Sequence, residues 1–345
     1  MSRKMTVYVL GAGASAHVGY PLISNMSLKL LQWMKKHDSR FDYASRAKSL
    51  EESFGSLSNF EELLIKMTRC VEECPRDNSE GLGRRTQLKS DLFVLSCALR
   101  EWFTEIQVNP ACAYRSFCLD VVQPGDCIIT FNYDVSLDRE LRNADKWQVG
   151  DGYGFVIPGL PNKSPVKILK LHGSSNWLAS LYTNMAGYGQ TAPGFIFGPR
   201  PVISDQDMKF LNYDDHRDVS FRGGVSGLCP LIIPPTPSKN FFIDISGKEE
   251  LKNFFDELWS QAREALKQSE HVVICGYSMP EVDHRARELL LSSIDKGSQI
   301  SIVSGNNSSD EIANTFRQHG FLNAAPAKRR RFEDWVSTVP SSMRS

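Results

Sequence analysis

The chain has 345 residues, 41% of them hydrophobic and 23% charged, a composition that can bury a sizeable core as one large domain or two ordinary ones. Its 40 basic and 40 acidic residues cancel to a formal net charge of zero. No global field therefore draws it to nucleic acid or an anionic membrane, and the run Lys328-Arg-Arg-Arg331 reads as a solvated face or tail. No stretch approaches about 18 consecutive apolar residues, and a strand pattern stands where a signal peptide would carry its apolar core, so the expectation is a cytosolic protein with no membrane partner.

The first element is an apolar, β-branched run, Thr6 to Leu10, feeding into Gly11-Ala-Gly-Ala-Ser15 and then Ala16. This is the relaxed G-x-G-x-x-G/A spacing of a strand turning sharply into a helix, a shape that presents backbone N–H groups and a helix dipole to a phosphate. Gly11 allows the turn, Gly13 lets backbone approach a ligand, and Ala16 permits close helix–strand packing. Such a turn also closes βα units that bind nothing. The second strand ending in Asp or Glu roughly 20 residues on, which a standard dehydrogenase half-domain uses for the ribose, is missing, and there is no G-x-x-x-x-G-K-[ST].

Residues 22 to about 120 read as helical, a subdomain inserted after the first βα unit. Leu22, Ile23, Met26, Leu30, Trp33 and Met34 recur at helical spacing. Ser58-x-x-Glu61 is a capping box ahead of Phe60, Leu63, Leu64, Met67 and Val71. Pro75, Gly81 and Gly83 mark a loop between Cys74 and Arg85, followed by a long helix from Leu88 to Ile106.

Strand patterns return at Asp126 to Asp134, Val166 to Ser174, His271 to Ser278 and Gln299 to Asn306, with a helix expected from about Glu281 to Asp295. Each run ends in small or polar residues: Asn132 and Asp134, His172 and Ser174, Gly276, and Asn306. In an open parallel sheet ligands sit at the carboxyl ends of the strands. Taken singly, Asn132 is a cap or turn residue, His172 an interior histidine and Gly276 a turn; with the opening run, five such runs together argue for a site. Residues 176–230, rich in glycine and proline, are expected to form irregular loop or a lid, and Leu251, Phe254, Phe255, Leu258, Trp259 and Ala262 mark an amphipathic helix. The eight cysteines form no C-x-x-C; Cys70 and Cys74 lack a second pair, so free buried thiols and no metal are expected.

Gly11-Ala-Gly-Ala-Ser15, Thr130-Phe-Asn-Tyr-Asp134, Leu171-His-Gly-Ser174, Pro234-Pro235 and Gly276-Tyr-Ser-Met-Pro-x-x-Asp283, in this order and spacing, resemble the sirtuin-like (silent information regulator) superfamily, more narrowly the bacterial sirtuin-like proteins of anti-phage defence systems. The resemblance implies an α/β fold over residues 1–345, a Rossmann-like parallel sheet holding NAD as substrate, with the helical insertion at 22–120. It implies that Asn132 orients the nicotinamide ribose and the attacking water, that His172 is the general base, that Ser15 and Asp134 help fix NAD, and that Ser278 and Asn306 line its adenosine side. Gly11, Ala12, Gly13, Ala14, Pro21, Thr130, Ser174, Gly276, Tyr277 and Asp283 complete the implied NAD-binding set.

The chemistry fits those two roles. Cleaving the nicotinamide–ribose bond passes through an oxocarbenium-like centre with a neutral leaving group, which asks for geometry, a dry site and one base. A histidine and an amide supply that. Two features of the protein-deacetylating sirtuins are absent: the loop G-I-P-D-F-R, replaced here by Leu-Ile-Ser after Gly19-Tyr-Pro21, and the two C-x-x-C pairs of the zinc ribbon. The expected activity is therefore NAD hydrolysis to nicotinamide and ADP-ribose. NAD-dependent deacylation or ADP-ribosyl transfer stands second, and a non-catalytic NAD- or ADP-ribose-binding sensor or assembly module third. The resemblance further implies a homo-oligomer, with a separate nuclease or ATPase subunit controlling activity.

Overall fold

The computed structural model describes residues 5–37, 41–55, 59–75, 77–109, 111–179, 201–204, 229–235 and 249–338. Its strands are β1 (Thr6–Leu10), β2 (Cys127–Thr130), β3 (Lys167–Lys170), β4 (Gly173–Ala179), β5 (Val202–Ile203), β6 (Cys229–Ile232), β7 (His271–Cys275), β8 (Gln299–Val303) and β9 (Ala324–Pro326). The chain divides into two compact units, one from Met1–Tyr20, Gln107–His172 and Phe255–Ser345, the other from Pro21–Ile106 and Gly173–Phe254. Among the described residues no helix is long and apolar enough to cross a membrane.

The first unit is built on a six-stranded sheet in the order β3-β2-β1-β7-β8-β9. Every pairing is parallel, with Val9 opposite Ile129 on one side and Ile274 on the other. A parallel sheet covered on both faces needs strands apolar throughout, and β1 meets this: Val7, Val9 and Leu10 are wholly buried and Tyr8 nearly so. Each such side chain contributes about 1.5–3 kcal/mol of transfer free energy. The order is Rossmann-like. The chain starts in the middle, steps outward to β2 and β3, and returns to the other side of β1 for β7 to β9, so the topological switch lies between β1 and β7. In open sheets of this order ligands bind at that point, at the carboxyl ends of the strands.

Short helices lie around this sheet: α1 (Ala12–Ser15), then α6 (Ala113–Ser116) running into a π-helical turn at Phe117–Val121, α7 (Ser136–Asn143) and α8 (Val149–Gly152). The carboxyl-terminal part adds the end of α9 (Glu249–Gln268), α10 (His284–Ser293), α11 (Asn306–Gln318) and α12 (Phe332–Thr338). Aromatic contacts knit them to the sheet: Phe117 meets Tyr8 edge-on at 5.0 Å, and Phe332 lies 5.3 Å from Phe117 and from Tyr114.

Among its described residues the second unit contains the helices α2 (Ile23–Met34), α3 (Tyr43–Phe54), α4 (Phe60–Glu73) and α5 (Ser79–Glu105), the start of α9, and an antiparallel sheet in the order β5-β4-β6. Two expectations change here. Helix α5 starts at Ser79, inside the stretch read as loop up to Arg85, because the Asn78 side chain caps it by accepting from the Gly81 amide at 2.7 Å. Gly81 suits that first turn because a methyl there would fall 2.4 Å from the Pro75 carbonyl oxygen. The cap of α4 is Asn59, accepting from the Glu62 amide; Ser58 lies outside the described residues. Inside the unit, Arg100 donates to Ser204 Oγ at 2.9 Å and Arg46 pairs with Asp91 at 2.6 Å.

The thiols of Cys74, Cys112, Cys118, Cys127 and Cys275 are free and buried, that of Cys70 is free and half-buried, and Cys97 is buried. Of the irregular 176–230 stretch, the described parts are the end of β4, the short β5 with its flanks, and the start of β6.

Candidate functional site in the parallel-sheet unit

At the switch point the turns after β1 and β7 are clasped backbone to backbone. Gly11 N donates to Cys275 O (3.0 Å), Gly13 N to Gly276 O (2.9 Å) and Ala14 N to Gly11 O (2.9 Å). Gly276 adopts φ +60, and a methyl on it would lie 2.1 Å from Ala14 N. A methyl on Gly13 would lie 2.9 Å from Gly276 Cα. The absent Cβ of Gly13 thus makes room for Gly276 first, and the amides of residues 11, 13 and 14 are spent within the protein. Helix α1 is a single turn, so it has little of the dipole that a longer helix would present to an anion. Ala12 is half-exposed and Ala14 buried.

Beside this clasp, the loop after β2 carries Asn132. Its Nδ2 donates to Gly11 O and to Ser15 Oγ, each at 3.0 Å. Gly11 O can only accept, which fixes the amide's orientation: both N–H groups point inward and the carbonyl oxygen Oδ1 is the part left to meet a ligand. Ser15 Oγ in turn donates to Asp134 Oδ2 (2.7 Å) and meets the Tyr114 hydroxyl at 2.7 Å. With Asn132 as third partner, the Ser15 hydroxyl is saturated. Thr130 Oγ1 donates to Leu10 O and accepts from Asn132 N, closing the loop against β1.

The Asp134 carboxylate also accepts from Ser136 N at 3.0 Å. Burial pushes its carboxyl above the ordinary range, opposed by Lys170, by Ser15 and by the Ser136 amide. Lys170, at the end of β3, is itself wholly buried. Its Nζ donates to Asp134 O at 2.6 Å and sits 3.3 Å from both Asp138 carboxylate oxygens, while Tyr153 donates to Asp138 Oδ1 at 2.5 Å. Every polar group in this chain of contacts has a partner, as burial requires.

Two residues beyond Lys170, His172 stands at the edge of an aromatic cluster. Its ring centroid is 5.0 Å from Phe131 and 6.3 Å from Trp259, and Phe131 lies 4.4 Å from Tyr277 with the rings tilted by 32°. His172 Nε2 lies 3.5 Å from Asp283 Oδ2, both residues buried, and the same Oδ2 accepts from the Tyr277 hydroxyl at 2.8 Å. Asp283 Oδ1 caps α10 by accepting from the Ala286 amide. Burial works to raise the Asp283 carboxyl, but His172, Tyr277 and Ala286 together outweigh it and hold that carboxyl below its ordinary range. The connection from β7 is fixed by Arg287, which donates to the carbonyl of Met279, a residue at φ +52.

Gly11, Ser15, Thr130, Asn132 and Asp134 thus form one network, Gly13 and Gly276 one clasp, and His172, Tyr277 and Asp283 one cluster. Ser278 is exposed, and Asn306 opens α11 with its side chain outside the described set. Pro21 and Ser174 belong to the second unit, where Ser174 Oγ donates to Asn176 Oδ1 at 2.6 Å. Sequence reasoning missed Tyr114, Lys170, Asp138, Phe131 and Trp259. Only Lys170 carried a signal, a charge at the carboxyl end of a strand whose middle is apolar. Among the described residues no group of three His, Cys, Asp or Glu could hold a metal ion.

No family model matches the chain, and no curated protein matches it. Among solved structures it is similar to a Sir2 homologue in complex with NAD, with 11% identity and a TM-score of 0.42 over 99% of this chain and 91% of that one. It is similar also to a mutant Sir2 homologue with 2′-O-acetyl-ADP-ribose, at 13% identity and a TM-score of 0.43 over 99% of this chain and 93% of that one. A third, a mutant Sir2 homologue with ADP-ribose, matches at 13% identity and a TM-score of 0.40 over 99% of this chain and 92% of that one. To such Sir2 homologues the chain is similar across nearly its whole length.

Proposed function

We propose that the site at the carboxyl ends of β1, β2, β3 and β7 binds NAD and hydrolyses its nicotinamide–ribose bond, releasing nicotinamide and ADP-ribose. The observation that carries this reading is the pair of locked groups: Asn132, whose N–H groups are held by Gly11 O and Ser15 Oγ, and His172, held at 3.5 Å from Asp283. An acceptor with fixed aim and a base at neutral pH are what the reaction asks of a protein. The residues fit NAD as substrate: Asn132, hydrogen-bonded to Gly11 O, stands at the carboxyl ends of the strands beside the switch point, where dinucleotides bind in sheets of this order.

In this reading the bond from ribose C1′ to the pyridinium nitrogen breaks with its electron pair moving to nitrogen, so nicotinamide leaves neutral and positive charge develops on the ribose. Asn132 Oδ1 accepts from a ribose hydroxyl or the incoming water and holds it in line. Water oxygen bonds to C1′, and His172 takes the proton that water gives up. One NAD and one water yield nicotinamide, ADP-ribose and a proton. The resemblance in the motifs supports a place in anti-phage defence by NAD depletion, in a homo-oligomer with a nuclease or ATPase subunit holding the activity in check.

The test is to incubate pure protein with NAD and follow nicotinamide and ADP-ribose by chromatography, with and without chelator and acetyl-lysine peptide. Turnover in all four conditions, abolished by Asn132→Ala and by His172→Ala in folded protein, is the expected result. Nicotinamide release only with acetylated peptide, one for one with its deacetylation, would instead identify a deacylase. Bound NAD with no turnover would identify a sensor.

A further inference from the structure

We propose that Asp283, assisted by Tyr277, is a positioning residue that fixes the tautomer of His172, so that Nε2 carries the proton and Nδ1 is the basic atom. This rests on the hydrolase reading for its kinetic consequence, but not for the tautomer itself. A neutral imidazole has one donor and one acceptor nitrogen. Asp283 Oδ2, an ionised acceptor held below its ordinary carboxyl range, faces Nε2 at 3.5 Å, so the proton belongs on Nε2 and the lone pair on Nδ1.

The carboxylate is itself held from two further sides. The Tyr277 hydroxyl donates to the same Oδ2 at 2.8 Å, and the first turn of α10 donates to Oδ1 from Ala286. Both oxygens are thereby tied, and Asp283 cannot turn away from the ring without leaving a helix cap. Among the described residues packed on His172, Asp283 is a charge that faces the ring, beside Phe131 from the loop after β2 and Trp259 from α9. Arg285 lies over Trp259 at 4.4 Å and pairs with Asp256, and Lys170 on β3 pairs with Asp138. When the ring takes a proton from water, the new imidazolium lies beside a preformed counter-charge, the same division of labour as in a serine-protease triad.

The first measurement is the tautomer of His172 in wild-type protein by nitrogen NMR of the imidazole, assigned against His172→Gln. Protonated Nε2 is expected; protonated Nδ1 overturns the proposal. The second uses Asp283→Asn, which keeps the volume and a residue equally good at helix caps. Removing the carboxylate disfavours the imidazolium, so the acidic limb of the kcat profile should move to lower pH by about one unit or more. The kcat should fall by about 10²–10⁴-fold while KM for NAD stays within about threefold. A raised KM with unchanged kcat would make Asp283 an NAD ligand and overturn the assignment, and so would an unmoved limb. If wild-type protein does not turn NAD over, the hydrolase reading fails, yet the tautomer and the drop in the His172 titration midpoint on Asp283→Asn still decide the pairing. If that variant does not fold, the wild-type tautomer decides alone.

Discussion

The two glycine turns that clasp each other at the switch point allow a paired substitution whose outcome can be ranked in advance. A methyl on Gly13 would lie 2.9 Å from Gly276 Cα and 2.9 Å from its carbonyl oxygen; a methyl on Gly276 would lie 2.1 Å from Ala14 N and 2.4 Å from Gly13 C. The obstacles are backbone in both cases, so no side chain can swing aside. Gly13→Ala should therefore cost what overpacking costs, about 1–3 kcal/mol. Gly276→Ala carries at least that clash and also forces an L residue to φ +60, worth a further 1–2 kcal/mol or so, for about 2–5 kcal/mol in all. Against a total stability of about 5–15 kcal/mol, the second change approaches the limit of what the fold survives.

Native-state hydrogen exchange of the β1 and β7 amides reads this locally, without assuming that the two units unfold together. The opening free energy should fall in both variants, and by about 1 kcal/mol or more further in Gly276→Ala. Wild-type protection in Gly13→Ala, or equal losses in the two, would refute the reasoning. NAD titrations on the same samples separate the two uses of Gly13: an affinity loss without a stability loss would restore ligand approach as the reason for that glycine.

Ser15→Ala should cost about 1–3 kcal/mol by leaving Asp134 and an Asn132 N–H each short of a partner, and should lower kcat as well; a thermal shift with unchanged kcat would show that Ser15 does not aim Asn132. Lys170→Met should cost about 3–5 kcal/mol because Asp138 is left buried without a counter-charge, and Lys170→Met with Asp138→Leu should recover much of it; a wild-type unfolding midpoint in the single variant would contradict this. Burial, the leading cause, holds the His17 and His271 imidazoles below the ordinary 6.5, so the unfolded chain takes up protons first as pH falls. Their contribution to stability is thus complete above about pH 6.5 and is lost on acidification through the window just below it. His271→Gln should flatten the fall in unfolding midpoint across that window, and an unchanged slope would count against it.

How much of this was legible in the sequence depends on how local each signal is. The five long strands of the parallel sheet could be read because both faces are covered, which demands unbroken apolar runs such as Val7 to Leu10 and Val272 to Cys275. Asn132 and His172 could be placed at strand ends for the same reason. The three-residue β9 offers too short a pattern. The run from Val166 to Ser174 read as one strand, but Gly173 takes φ +83 and begins β4, a partner of β6 more than fifty residues away. Gly81 and Gly83 read as loop because a cap from Asn78 is a geometric fact as much as a compositional one. The supports of the site were out of reach altogether. Tyr114 reaches Ser15 across 99 residues of chain, and no spacing rule encodes a contact that only the closed sheet creates.

The same network suggests why an amide with both N–H groups turned inward suits the proposed reaction. Asn132 donates to Ser15, and Ser15 donates to the carboxylate of Asp134, so the donors align toward a buried negative charge. Aligned hydrogen bonds in a low-dielectric interior polarise one another, and drawing the N–H groups toward an anion pushes electron density onto Oδ1, the atom left to face the ribose. Positive charge grows on that ribose as the bond to nicotinamide breaks, so the polarisation favours the transition state over the ground state. Asp134→Asn keeps the shape and a carbonyl to accept from Ser15 but removes the charge. A charge-assisted hydrogen bond exceeds a neutral one by roughly 1–1.5 kcal/mol, and if most of that is felt only as charge develops, kcat should fall about tenfold with little change in KM. The variant's amide nitrogen then faces the Ser136 N–H, which loses its acceptor at about 1–3 kcal/mol. Burial already raises the Asp134 carboxyl, so losing the charge relieves a cost of folding that offsets this, and the variant should remain folded. An unchanged kcat in folded Asp134→Asn would mean that Asp134 only shapes the loop, and that Asn132 needs position but not polarisation.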